Sequence, residues 1–218
     1  MYRSVHNQII RRGEESQLAR PREFDRNEAL GRAMETFWDL GYEGTSTAVL
    51  VDRLGIGRSS LYAAFNSKDE LYVEVMDRYV LNLRSRVIDR LRADGPAMKV
   101  LRAFFRQVAD RGTPDGERLR CCMVVRACLA GPDQRPEIRR RTQQAIKELD
   151  DAFLALLRRA RAEGSLSGGV RLRDSARFLT TTFQALNIAA LAGRDRRELG
   201  EIIRRALASL DPGQGASK

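Results

Sequence analysis

Proline, histidine, tryptophan and cysteine are scarce in this chain, and each scarcity excludes a class of protein. The 218 residues include 6 prolines, 1 histidine, 1 tryptophan and 3 cysteines. The prolines fall mainly in short breaks between periodic segments, and alternation of Val and Ile is rare. Ala, Leu, Arg and Glu dominate instead, and these residues lose little rotamer freedom in a helix. The composition therefore predicts an all-α fold, for which 43% hydrophobic residues supply a packed core.

The cysteines and the histidine give no framework for a disulfide-rich or metal-binding protein. Cys121, Cys122 and Cys128 are clustered and odd in number, which argues against paired disulfides. The first twenty residues lack the apolar core of a secretory signal, so we expect a reducing cytoplasm. His6 is isolated and no CxxC pair is present, so the sequence predicts no metal and no cofactor. The sequence contains no run of 18 apolar residues, so it predicts no membrane-spanning helix.

Enzyme motifs are missing as well. The sequence contains no Gly-rich phosphate loop and no His-based triad. Acidic pairs such as Asp150-Asp151 are typical of a solvated helix face. We therefore expect a protein that is not an enzyme. The alternative, an enzyme, would require catalytic turnover that survives removal of residues 1–70.

Positive charge is abundant but unevenly distributed. The net charge is +10, yet residues 1–70 carry 10 basic and 11 acidic side chains, whereas residues 71–218 carry 29 and 18. A basic chain favours nucleic acid or another acidic partner. Because the excess lies in the second part of the chain, an alternative is a helical interaction module. Such a module would bind an acidic partner through Arg139, Arg140 and Arg141.

Capping signals and apolar spacing divide the chain into four parts. We predict a flexible basic arm over residues 1–24 and a small three-helix domain over 25–70. A larger helical domain follows over 71–211, with a disordered tail over 212–218. The fold class is thus all-α, with about nine helices.

Several helix ends can be predicted from the sequence. Asp25 and Ser67 are predicted N-caps, each with a glutamate three residues later. Gly41 is predicted to end the first helix, because only glycine adopts the left-handed conformation without penalty. Further helices are predicted over 117–130, from Pro136 onward, over 172–192 and over 195–210.

Residues 47–66 fit a helix-turn-helix. Gly55 stands where a tight turn between two short helices needs unusual backbone angles. Apolar residues at Leu50, Leu54, Ile56 and Leu61 have the spacing for mutual packing. The second helix would present small and polar side chains outward, which suits close entry into the major groove. An ordinary helical hairpin is the alternative for this pattern alone.

The stretch GYEGTSTAVLVDRLGIGRSSLYAAFNSKDELY, residues 41–72, resembles the TetR family of bacterial transcriptional regulators. The resemblance covers about residues 25–75 and depends on spacing. Its landmarks are Gly41, Thr45, Gly55, Leu61, Tyr62, Phe65, Lys68 and Leu71. The sequence departs from the family pattern at Gly57 and at Ala63-Ala64. The resemblance implies an N-terminal DNA-binding domain and a larger effector-binding and dimerisation domain.

Five residues are expected to contact DNA phosphates. Thr45, Ser46 and Thr47 stand at a helix start, where free amides and the helix dipole favour an anion. Tyr62 resembles the family tyrosine whose hydroxyl reaches a phosphate. Lys68 lies in the first turn of a helix, where the dipole disfavours a cation, so a phosphate partner explains it better.

Three residues of the second short helix are candidates for reading bases. Arg58 is expected either to read a guanine edge through two hydrogen bonds or to contact a phosphate. Ser59 and Ser60 would contact bases or phosphates. The arginines of the arm would enter the minor groove or belong to a solvated tail. These alternatives stay open at the level of sequence.

The resemblance also implies a partner and a regulator. We expect a homodimer through helices 172–192 and 195–210, a palindromic double-stranded operator, and repression relieved by a small-molecule effector. Candidate effector-pocket residues are Phe104, Phe105, Cys122, Met123, Phe153, Phe178, Thr182 and Phe183. Each of them has plain core packing as its alternative. Redox or electrophile sensing by the cysteines, assisted by Arg120 or Arg126, is a further hypothesis beside buried, inert thiols.

Overall fold

The computed structural model describes residues 24–111, 121–130 and 135–210, and every regular element in these ranges is helical. The all-α prediction is therefore confirmed. The nine helices of the described residues are α1 (Arg26–Leu40), α2 (Thr47–Leu54), α3 (Arg58–Phe65), α4 (Lys68–Leu91), α5 (Ala97–Arg111), α6 (Met123–Cys128), α7 (Pro136–Ala162), α8 (Leu172–Leu191) and α9 (Arg196–Ala208). The arm before Phe24 and the tail after Leu210 lie outside the described residues.

Local signals set several of the helix ends. The Asp25 side chain accepts from the amides of Asn27 and Glu28, as an N-cap does. Gly41 ends α1 at φ 76° and ψ 174°, a region that is essentially restricted to glycine. Ser67 caps α4 by accepting from the amide of Glu70. These three predicted ends are confirmed, but the left-handed helical conformation predicted for Gly41 is wrong, because its ψ of 174° lies outside that region.

Helix α4 is a single long rod with one irregular turn. Its α-helical part Lys68–Leu83 continues through a π-helical turn, Arg84–Ile88, into Asp89–Leu91. Leu83 and Asp89 at the two junctions both keep right-handed helical angles. The π-turn was not predicted, because a turn that is widened by one residue leaves little trace in apolar spacing.

The helix predicted over 117–130 is wrong in extent within the described residues. Helix α6 covers only Met123–Cys128, because Cys122 adopts extended angles of φ −52° and ψ 128°. Cys121 and Cys122 are buried as extended backbone before the helix begins. The apolar run that predicted a longer helix instead reflects burial of an irregular segment.

Two apolar clusters organise the fold. The first joins α1, α2, α3 and the first half of α4, and it also takes in α6 and two positions of α7, Ile138 and Ala145. The second joins the end of α4 to α5, α7, α8 and α9. The buried side chains of Phe37 and Phe65 belong to the first cluster. Within the described ranges, no helix has the length and apolar character needed to cross a membrane.

Candidate nucleic-acid interface

Helices α2 and α3 form a compact pair that the rest of the first cluster holds in place. Leu50, Leu54, Leu61 and Phe65 bury their side chains almost completely. Gly55 turns the chain between the two helices at φ 67° and ψ 29°, a left-handed conformation that confirms the unusual backbone angles predicted there. Because both helices are fixed by buried contacts, the outer face of α3 is presented on a rigid support. We name residues 26–65, which contain α1, α2 and α3, the reading head.

The N-terminus of α3 is open. Its N-cap, Gly57, has no side chain that could accept a hydrogen bond from the first amides. The caps of α2 and α4 differ, since Ser46 and Ser67 each accept from an amide of their own helix. Uncapped amides and the positive end of the helix dipole together favour an anion at the start of α3.

Side chains around this helix start face solvent. Arg58 and Ser59 are exposed, and Ser60 is half-buried. A Cβ added at Gly57 would lie 3.9 Å from Ser59 Oγ and 4.0 Å from Ser60 Oγ, which is ordinary van der Waals contact, so both hydroxyls lie close to the start of the helix. The arrangement places one guanidinium, two hydroxyls and free amides on a single outward surface.

Tyr62 joins the two helices at this surface. It is 36% exposed, and its hydroxyl lies 3.4 Å from Thr47 Oγ1 in α2. The Arg58 guanidinium carbon lies 5.8 Å from the centre of the Tyr62 ring. Hydrogen bonding from Thr47 and then from Arg58 lowers the pKa of the Tyr62 phenol. The hydroxyl is thus surrounded by donors and faces the same side as the start of α3.

Thr45 has a different environment from its neighbours. Its side chain is completely buried, and its hydroxyl donates to the carbonyl oxygen of Gly41 at 2.6 Å. Ser46 is exposed and caps α2 by accepting from the Val49 amide at 3.2 Å. Thr45 therefore anchors the turn before α2 and presents no hydroxyl at the surface. Ser46 and Thr47, in contrast, lie at the border of that surface.

Lys68 opens α4 beside an aromatic ring that sequence reasoning missed. Its Nζ lies 4.0 Å from the centre of the Tyr42 ring. The Tyr42 hydroxyl donates to the Asp69 carboxylate, which also pairs with Arg135 at the start of α7. This network fixes the ring on which the ammonium rests. Its members come from three separate elements, so spacing along the chain gives no signal for it.

A second unforeseen contact joins the reading head to α6. The Trp38 indole N–H donates to the carbonyl oxygen of Cys121 at 2.6 Å. In return, Arg126 donates from Nη1 to the carbonyl oxygens of Trp38 and Asp39, at 3.1 and 3.4 Å. The end of α1 and the start of α6 are therefore held together by hydrogen bonds in both directions.

The structure divides the predicted effector-pocket residues among three places. Phe104, Phe105, Phe153 and Phe183 form an aromatic cluster in the second core, with ring centres 5.2–5.8 Å apart. Cys122 and Met123 lie in the first core against the reading head. Phe178 lies on the outer face of α8 at 48% exposure, and the buried Thr182 donates to its carbonyl oxygen.

The thiols named for sensing are differently accessible. Cys121 and Cys122 are buried, whereas Cys128 is exposed. Burial raises the pKa of the Cys121 thiol, and the charge of Arg126 opposes this with a smaller effect. The protonated, less nucleophilic form of Cys121 is thus favoured. Arg120, the other arginine of that hypothesis, lies outside the described residues.

Comparison with known proteins agrees with this geometry. Residues 29–75 match the family model described as bacterial regulatory proteins, tetR family. The HTH-type transcriptional regulator YezE of Bacillus subtilis is 31% identical over 195 residues, which are 89% of this chain and all of that protein. The HTH-type transcriptional repressor ComR of Escherichia coli is 28% identical over 84% of this chain and 87% of its own.

A solved structure shows the same fold on DNA. A cysteine mutant of the TetR family transcriptional regulator CifR, in complex with 26-bp double-strand operator DNA, superposes with a TM-score of 0.76. It is 33% identical, and the match covers 88% of this chain and 99% of that one. The chain described here therefore belongs to the TetR family and is a helix-turn-helix transcriptional regulator.

Proposed function

We propose that the protein is a homodimeric repressor that binds a palindromic operator through α3 and is released by a small-molecule effector. The observation that carries the proposal is the uncapped start of α3, bordered by exposed Arg58 and Ser59 and by the Tyr62 hydroxyl. Such a surface offers phosphate and base contacts together. Two relatives support the same assignment: CifR was solved in complex with operator DNA, and ComR is named a transcriptional repressor.

The proposed contacts divide by chemistry. Phosphate contacts would position the duplex, because several groups offer a donor or a positive charge at one surface. These groups are the amides at the start of α3 and the side chains of Ser46, Thr47, Tyr62 and Lys68. Arg58 and Ser59 extend from the exposed side of α3 and would read base edges in the major groove. Thr45 would act through the turn that it anchors.

The proposed dimer uses the two helices predicted for it, α8 and α9, and the outer face of α8 carries its exposed apolar side chains. Large apolar side chains on this face are left exposed at Phe178, Ile188 and Leu191, with exposures of 48%, 45% and 54%. At about 100° per residue, the three positions lie within an arc of about 140°, a broad face of the helix. A two-fold contact along this face would present two reading heads to half-sites about 34 Å apart.

The division into a DNA-binding domain, residues 25–70, and an effector domain, residues 71–211, is part of this proposal. The hydrogen bonds of Arg126 and Trp38 cross that boundary and connect the effector domain to the reading head. An effector that favours a different α6 position would shift the population toward dimers whose heads no longer match the groove spacing.

The alternative interaction module receives less support. Arg141 donates to the Asp77 carboxylate at 2.5 and 2.9 Å, and Arg140 pairs with Glu137 at 3.4 Å. These guanidinium groups are already engaged inside the chain, which weakens their attraction for an acidic partner.

Selection from a random duplex library tests the proposal. The intact protein should enrich one palindromic sequence with half-sites about one helical turn apart, bound by two chains per duplex in sedimentation experiments. Tyr62→Phe and Arg58→Ala should enrich it less, whereas Lys147→Gln, a change at an exposed position of α7, should behave as wild type. Failure of any sequence to be enriched would overturn the proposal.

A further inference from the structure

A basic groove runs between α5 and α9, away from the reading head. It has a volume of about 760 Å³, which lies in the range of small-molecule sites. Among the described residues, its lining includes the five arginines Arg102, Arg106, Arg196, Arg197 and Arg204, with Asp110 as the single acidic residue. Part of the positive charge excess of residues 71–218, which DNA binding by the reading head does not use, is therefore concentrated here.

Sequence spacing explains how the arginines reach one groove. Arg102 and Arg106 are four residues apart on α5, and Arg197 and Arg204 are seven apart on α9, so each pair projects from one helix face. The lining also contains the ion pair of Arg196 with Asp110, whose atoms lie 2.5 Å apart. The two helices thus hold several guanidinium groups over a common floor.

Three of these guanidinium groups have no carboxylate partner in the described part of the chain. Neither Arg102, Arg106 nor Arg197 forms an ion pair there, although Arg196 pairs with Asp110 and Arg204 with Glu201. Unpaired guanidinium groups close to one another repel, and a carboxylate or phosphate would bind them through charge-assisted hydrogen bonds.

The floor of the groove is apolar. Ala109 of α5 and Ile203 and Leu207 of α9 line it between the two rows of arginines. An inorganic anion would leave this apolar surface in water. An organic anion with an alkyl or aromatic body would cover the floor and place its charged end among the guanidinium groups.

Gly200 supplies an independent argument for an occupant. It lies inside α9, where glycine weakens a helix relative to alanine. A Cβ added there would meet nothing within 4 Å in the described chain, so no neighbouring group requires its small size. Gly200 also lines the groove, and its missing side chain keeps the floor open.

We propose that the α5–α9 groove binds an organic anion with an apolar body, a carboxylate or a phosphate ester. The inference deepens the proposed function, because it gives the effector a chemical class, and the effector role rests on that function. The binding step itself needs no DNA. The lining of the groove does not include Phe104 or Phe153 of the aromatic cluster, which the sequence named only as candidates for the effector pocket.

Calorimetry of the intact protein without DNA tests the binding, with octanoate and octyl phosphate as probes. Both should bind with one site per chain, whereas 1-octanol and inorganic phosphate should bind at least about tenfold more weakly, because each lacks one half of the recognition. Absence of binding by both anions at a dissociation constant below about 1 mM would overturn the proposal.

Variants locate the site. The double change Arg102→Gln and Arg106→Gln should weaken octyl phosphate binding at least about tenfold, the loss expected from removing charge-assisted hydrogen bonds. Arg86→Gln with Arg158→Gln, two exposed arginines outside the groove, is the matched control and should leave binding unchanged. Equal weakening by the two double variants would show a non-specific charge effect and overturn the proposal.

Gly200→Leu tests the groove without removing charge. Its side chain would enter the open floor, so octyl phosphate binding should be lost while the thermal midpoint stays equal or rises, since leucine favours helix more than glycine. Unchanged octyl phosphate binding by Gly200→Leu would overturn the proposal. Dissociation of the dimer by Gly200→Leu would also overturn it, because that result would mean that another copy of the chain fills the groove. Operator affinity measured separately, without any anion, reports on the proposed function alone.

Discussion

Arg126 holds the carboxyl end of α1 through the main chain of Trp38, a residue 88 positions earlier in the sequence. The distance from Arg126 Nη1 to the Trp38 carbonyl oxygen is 3.1 Å. The last carbonyls of a helix have no partner within the helix, and here a guanidinium group from another element supplies one. The end of α1 therefore depends on where α6 lies.

Replacing Arg126 by alanine should destabilise the fold. The change leaves the Trp38 and Asp39 carbonyls without this donor, and hydrogen bonds to charged groups contribute about 1.5–3 kcal/mol. Urea unfolding should show this loss in the free energy of unfolding. Arg86→Ala, a change at an exposed arginine of the π-turn in α4, should change it by less than about 0.5 kcal/mol. Equal stability of Arg126→Ala and wild type would contradict the prediction.

Gly41→Ala should destabilise the protein for two separable reasons. The backbone at φ 76° and ψ 174° costs about 1–3 kcal/mol for a residue with a Cβ. That Cβ would also stand 3.0 Å from Arg126 Nε. In an Arg126→Ala background only the backbone strain remains, so the same change should cost less. A double-mutant cycle by urea unfolding measures the difference, and strictly additive costs would contradict the steric contact.

Tyr72 should make the protein sensitive to alkali. Burial raises the pKa of its phenol to about 12, while the unfolded chain keeps the ordinary value of 10.0. The contribution is complete below pH 10 and is lost as pH rises toward 12, because only the unfolded state ionises in that window. The loss is up to about 3 kcal/mol for a pKa that burial raises from 10.0 to about 12.

Urea unfolding of wild type and Tyr72→Phe across this pH window checks the effect. The variant should lose stability less steeply with rising pH, since its ring carries no ionisable group. Tyr62→Phe is the control and should keep the steep decline, because Tyr62 is exposed. Parallel declines for Tyr72→Phe and wild type would show that another group is responsible.

Lys68→Gln should weaken DNA binding without changing which sequence is preferred. The ammonium group rests on the Tyr42 ring at the start of α4 and would neutralise one phosphate. Loss of one phosphate contact lowers the slope of log affinity against log salt by about 0.9. Affinity measured over a salt series tests this, with Lys147→Gln as control. An unchanged slope would show that Lys68 makes no phosphate contact.

Ile188→Glu should break the proposed dimer. The position is 45% exposed on the outer face of α8, so the charge is harmless in a monomer and is buried in the two-fold contact. Sedimentation should show a monomer with the helical circular dichroism of wild type. Gln143→Glu, an exposed change on α7, should leave the assembly as it is. A dimer of Ile188→Glu as stable as wild type would place the interface elsewhere.

Predictability from sequence follows the range of the interactions. The ends set by Asp25, Gly41, Gly55 and Ser67 could be predicted, because each depends on a residue and its neighbours within one turn. The extent of α6 could not, because burial of Cys121 and Cys122 against the reading head keeps that segment extended.

The candidate site divides in the same way. Exposure of Arg58, Ser59 and Tyr62 follows from the apolar spacing of α3, which assigns the opposite face to the core. Burial of Thr45 depends on a hydrogen bond to Gly41 across a turn whose path the sequence leaves open. The Lys68–Tyr42 contact depends on how the turn after α1 meets the starts of α4 and α7, so no pattern within one helix indicates it.

Fluorescence anisotropy with two duplexes tests the central claim that α3 reads a specific DNA sequence. One duplex carries the selected palindrome and the other has the same composition in scrambled order, at one physiological salt concentration. We predict a preference for the palindrome of about a thousandfold or more, reduced by Arg58→Ala at defined base positions. Equal affinity for both duplexes, unaffected by Arg58→Ala, would contradict the account.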